Sequence, residues 1–111
     1  MKNRMAVALL GLLIVASTAS AECLLTFQTE GLPFFFVGQH ADFQVIAVSG
    51  TEPYHFEVNN EFGPLPEGLH LSANGKITGT PREATETTTY IQVTDKEGCR
   101  LTQAFIVSVQ P

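Results

Sequence analysis

Tryptophan is absent from this chain of 111 residues, cysteine occurs twice, tyrosine twice, and Lys and Arg together number six against eleven Asp and Glu. Each shortage excludes something. With a formal charge of −5, the surface is a poor match for nucleic acid or anionic lipid, and neither is expected as a partner. Without tryptophan, and with Tyr54 and Tyr90 at apparent strand positions, the aromatic platforms that stack on sugars have few candidates. Long apolar runs are also scarce. The one present, Met5 to about Ala16, is shorter than the roughly 20 residues a membrane span needs. Lys2 and Arg4 precede it and Ala19-Ser20-Ala21 follows, the pattern of a secretory signal peptide over residues 1–21 that is cleaved after Ala21. Cys23 follows Glu22 instead of the small residue that a lipid-bearing cysteine requires, which argues against a lipid anchor. The mature domain is then expected over residues 22–111, secreted or periplasmic, with no membrane span. Cleavage would leave four basic residues against eleven acidic ones, a formal charge of −7.

A domain of about 90 residues lies near the lower end of what buries an adequate core unaided. Cys23 and Cys99 stand near its two ends, and in an oxidising compartment they are expected to form a disulfide. Closing so long a loop is worth about 4 kcal/mol in the chain-entropy treatment.

Beyond the leader there is no sustained helical period, no low-complexity tract and no linker. Alternation takes their place. In "HADFQVIAVSG", Phe43, Val45 and Ala47 share one face, although Ile46 and Val48 make the other face more apolar than a solvated strand requires. Tyr54, Phe56 and Val58 oppose His55 and Glu57, and the same pattern places Thr89, Ile91 and Val93 together, and Phe105, Val107 and Val109. Turn residues punctuate these runs at Ser49-Gly50, Asn59-Asn60, Pro64 through Gly68, Gly79 through Pro81, and Asp95 through Cys99. Asn74-Gly75 predicts a type I′ hairpin turn joining Leu69–Leu71 to Lys76–Thr78. The sum is an all-β fold, an immunoglobulin-like antiparallel β-sandwich of about seven strands. It departs from antibody domains in having no tryptophan and in placing its cysteines near the chain ends.

The order Pro53-Tyr54, Leu65-Pro66-Glu67-Gly68-Leu69-His70-Leu71, Gly75, Ile77-Thr78-Gly79-Thr80-Pro81 and Val93-Thr94-Asp95 resembles the putative-Ig, cadherin-like (dystroglycan-type) domain family of bacterial surface proteins. The likeness extends over about Val37 to Val109. It implies an extracytoplasmic binding, adhesive or spacer module, in which Leu69, Leu71 and Ile77 are core and Gly68 and Gly75 permit turns. Family members are usually strung in tandem, so a lone sandwich behind its own leader has little to space.

Catalysis finds little support in the residues. Glu57 with Glu61, and Glu83 with Glu86, read as a solvated acidic surface. Ser49, Ser72 and Ser108 have no evident base, and no enzyme activity is expected. His40, His55 and His70 are expected at the surface on separate strands, without a shared metal. No cofactor is expected, with calcium the weak exception: Asp95, Glu97 and Asp42, with Glu30, are the candidate oxygen donors. The other role open to Asp95 is to accept hydrogen bonds from turn amides. In "LPFFFVG", Phe34 and Phe36 share one face of an extended segment and Phe35 takes the other. At least one of these three is expected to be exposed or packed at an edge, with Phe35 the plug for the sandwich end or else an anchor for a partner. Non-covalent recognition of a protein at the cell envelope or outside the cell, through Phe34, Phe35 and Phe36, is the expected function. A carbohydrate-binding or calcium-assisted adhesion module is the alternative.

Overall fold

A computed structural model describes residues 23–61 and 63–111. The expected signal peptide lies outside the described residues. Nine strands follow one another without a helix among those residues: β1 (Thr26–Phe27), β2 (Phe35–Phe36), β3 (Ala41–Gln44), β4 (Ala47–Val48), β5 (His55–Val58), β6 (Leu69–Leu71), β7 (Lys76–Gly79), β8 (Thr85–Thr94) and β9 (Arg100–Gln110).

They form the two layers of a sandwich. One is a four-stranded sheet in the order β2-β9-β8-β5. The other is built from a three-stranded sheet, β3-β7-β6, beside the pair β1-β4. The long hairpin β8–β9 is the frame, antiparallel from Arg100 opposite Thr94 to Val109 opposite Thr85. Its inner residues Ile91, Val93, Phe105 and Val107 are buried with Val45 and Ile77 of the opposite layer. Phe27 bridges the layers, its ring centroid 5.4 Å from Phe105 edge-on and 6.4 Å from Phe56. Such tilted contacts suit the aromatic quadrupole and fill the centre where an antibody domain keeps its tryptophan.

Nine strands replace the expected seven, and there are physical reasons for each departure. The stretch His40–Gly50 is two strands in different sheets, not one. Val45 donates its N–H to Gly75 O at 2.8 Å and Ile46 donates to the Thr29 hydroxyl at 2.9 Å, so the chain changes partners between them. That crossing explains the excess of apolar residues: Val45 and Ala47 are buried, and Ile46 is turned outward. The pairing is not wholly antiparallel either, because β2 runs parallel to β9 with Phe35 opposite Val109. The turn at Asn74-Gly75 is not type I′. Ser72 pairs with Lys76, Gly75 N–H returns to Ser72 O at 3.0 Å, and of the loop residues only Gly75 has positive φ, at 92°. This is a three-residue loop whose glycine takes the left-handed position, the next most common hairpin solution.

Gly68 and Gly79 meet back to back where β6 and β7 begin and end. Both have positive φ, 98° and 120°, and a Cβ on either would strike backbone of the other hairpin arm. The glycine turns within Leu65–Pro81 therefore serve the scaffold, as the resemblance implies.

Candidate functional site

Three places bring polar or exposed apolar groups together. The first is the corner at the β8–β9 turn. Asp95 is buried, and its carboxylate accepts from Thr51 N–H at 3.1 Å on one oxygen and from Glu97 and Cys99 N–H at 2.9 Å each on the other. The Thr51 amide does most to hold the Asp95 carboxyl below its ordinary value; burial opposes this, and the Cys99, Glu97 and Gly98 amides add to it. Beside it Cys23 and Cys99 form the expected disulfide, with Cα atoms 5.8 Å apart. Tyr54 hydroxyl donates to Gly50 O and accepts from Gly50 N–H, both at 3.1 Å. The corner is a structural clasp.

This arrangement separates the calcium candidates. The Asp95 oxygens face turn amides, while Asp42 pairs with Lys76 Nζ at 3.2 Å on another sheet and Glu97 is exposed. No group of three or more His, Cys, Asp or Glu able to hold a metal occurs among the described residues. Of the serines weighed as nucleophiles, Ser72 Oγ accepts from Lys76 N–H at 3.0 Å and Ser108 Oγ accepts from Gln110 Nε2 at 2.6 Å. Both are tied into local structure.

The second place is the β2 edge. Phe35 is core, 5% exposed, because its register opposite Val109 turns it inward. It is removed from the set of partner contacts. Phe34 and Phe36 stay outside at 66% and 43% exposure, joined by Val37 and by Ile106 on the outer face of neighbouring β9. β2 bonds β9 on one side only, so it ends the sheet.

The third place was not visible from the sequence. A cleft of about 670 Å³ lies where β5, the other edge of the four-stranded sheet, meets β6, the edge of the opposite layer. His55 and Glu57 of β5 and His70 of β6 line it, with Leu65, Leu71 and Val58. His55 Nε2 lies 3.4 Å from Glu57 Oε1. The two histidines, expected on separate strands without a shared metal, both line this cleft. Near one end Phe56 N–H donates across it to Ala73 O at 2.8 Å. Among the described residues β5 and β6 form no ladder with each other. Asn59 N–H bonds Tyr90 O, so by alternation His55 and Glu57 also face β8, while Phe56 and Val58 turn their N–H and C=O toward the cleft. Ser72 N–H bonds Lys76 O, which by the same logic turns Leu69 and Leu71 outward from β6. Leu69 N–H is taken up by Pro66 O at 3.1 Å. By this alternation the Val58 and Leu71 N–H groups point away from β8 and β7, toward the cleft. Finding this cleft requires knowing that β5 and β6 diverge, which neither segment's sequence states.

A family model described as Putative Ig domain matches residues 16–110. Two solved structures from Bacteroides fragilis share the fold. One is called a putative alpha-galactosidase, is 18% identical with a TM-score of 0.58, and is matched over 76% of this chain and 18% of its own. The other, called a putative alpha-galactosidase/melibiase, is 19% identical with a TM-score of 0.65, over 77% of this chain and 17% of its own. The chain thus spans less than a fifth of either of these proteins. Among curated proteins none matches it.

Proposed function

Given that the chain belongs to the Putative Ig domain family, we propose that it is a secreted or periplasmic recognition module that binds a protein partner non-covalently and performs no catalysis itself. The observation that carries this reading is the run of exposed apolar side chains at the β2 edge: Phe34, Phe36 and Val37. Exposed apolar patches of this kind mark interaction sites, and aromatic side chains dominate binding energy where partners meet. The disulfide agrees with an oxidising compartment, and no helix among the described residues is long and apolar enough to cross a membrane.

The test is a cross-linked capture from the native cell envelope and medium, with wild type beside a Phe34→Ser, Phe36→Ser double variant. Both substituted side chains are exposed, so the variant should melt with wild type. A protein partner captured by wild type and lost from the variant supports the reading; equal capture by both overturns it. Glycan recognition is the second reading, favoured by one finding, that both solved relatives carry alpha-galactosidase names. It predicts retention on immobilised galactosides with no captured protein. Calcium-assisted adhesion would add sensitivity to chelator.

A further inference from the structure

We infer that the cleft between β5 and β6 is a second binding site, independent of the Phe34–Phe36 edge, and that it takes an extended peptide strand of a partner protein carrying basic residues. The walls specify the conformation of the occupant. Each presents the backbone groups on the side of a strand that no ladder among the described residues takes up, Val58 on one side and Leu71 on the other. An added strand satisfies such groups with its own N–H and C=O, which a helix cannot do because its backbone bonds are internal. The volume, about 670 Å³, falls within the range of ligand sites.

The lining specifies the side chains. Leu65 and Leu71 offer apolar contact, which suits the inward residues of an alternating peptide. No Lys or Arg lines the cleft among the described residues, whereas Glu57 does, and Glu61 stands in the adjoining hollow that shares Glu57 and Val58. A chain with a formal charge of −5 reinforces that preference for a basic partner. A sugar is disfavoured here because, among the described residues, the lining holds no Trp or Tyr and its Phe56 is 5% exposed and offers no stacking face.

Panning a display library of random short peptides against the immobilised protein tests the inference. The expected enrichment is of sequences that alternate apolar residues and carry Lys or Arg. The selected peptide should lose affinity by about tenfold in Val58→Pro, which removes the cleft-facing N–H and leaves the β8 ladder intact. It should bind the Phe34→Ser, Phe36→Ser variant as tightly as wild type. On the unmodified protein, the Val58 and Leu71 amides should exchange fast when free and at least about tenfold slower with peptide bound; this readout stands even where Val58→Pro does not fold. Failure to enrich any peptide overturns the site. So does slow exchange of both amides in the free protein, since β5 and β6 would then close on each other. A selected peptide that depends on Phe34 and Phe36 instead would overturn the cleft while upholding the edge reading.

Discussion

β5 is four residues long, and its two ends sit in opposite circumstances. At His55 it lies opposite Thr94, next to the corner where Asp95 binds three amides, Lys96 N–H reaches Thr51 O at 2.8 Å and Cys23 is joined to Cys99. At Val58 it borders a cleft, with its outward backbone groups in no ladder. The sandwich is fastened at one end of this strand and parted at the other. The arrangement concentrates ties between distant segments where no ligand is proposed, and so allows an edge to stay open without loosening the fold. Stability and availability are assigned to different ends of one strand.

Removing the strongest fastening is the largest expected perturbation of that contrast. Cys23→Ser with Cys99→Ser opens a link between positions 76 residues apart and should cost about 4 kcal/mol, read by denaturant unfolding. Peptide binding at the cleft should survive wherever the variant is still folded. If it disappears from folded protein, the two ends are coupled and the contrast fails.

Asp95→Asn comes next. Asparagine matches the shape, but its amide offers a donor where one carboxylate oxygen now accepts, so either Thr51 N–H or the pair from Glu97 and Cys99 meets another donor. The melting temperature should fall, by less than on disulfide removal. The pH dependence has a definite sign. The folded-state pKa of Asp95 is lowered, so its contribution is fully present above the unfolded value near about pH 4 and is lost as pH falls through the lower folded value. Wild type should therefore lose melting temperature on acidification below about pH 4, and Asp95→Asn should flatten that loss. An identical acid profile for both would show that other carboxylates govern it.

How much of this was legible in the sequence differs between the same two regions. The corner depends on local chemistry: Asp95, Gly98 and Cys99 lie within one turn, and the turn-binding role of Asp95 and the disulfide both followed from residue type and position. Phe35 was also within reach of alternation, which separated it from Phe34 and Phe36 but could not say which face was core; the register opposite Val109 decides that. The cleft was beyond reach. It exists because two segments, each with ordinary strand patterning, end up as the edges of different layers and form no ladder with each other among the described residues. A period of two identifies a strand and its faces, but not which of its edges remains unpaired.

The smallest effect expected is also the one that most sharpens the comparison. Leu71 is only half-buried and packs against the core from the cleft side. Leu71→Ala should therefore cost only about 1 kcal/mol, roughly half of what full burial of such a side chain is worth. By contrast, a fully packed core position would lose more, because a closed cavity adds to the transfer cost. The substitution leaves the Leu71 N–H in place and removes apolar lining. Peptide affinity should thus weaken while the Leu71 amide is still slowed when peptide binds. That combination separates the two things the cleft provides, backbone pairing and apolar contact. A stability loss as large as that at a closed core site would instead mean that β5 and β6 pack together in solution, leaving β5 fastened at both ends.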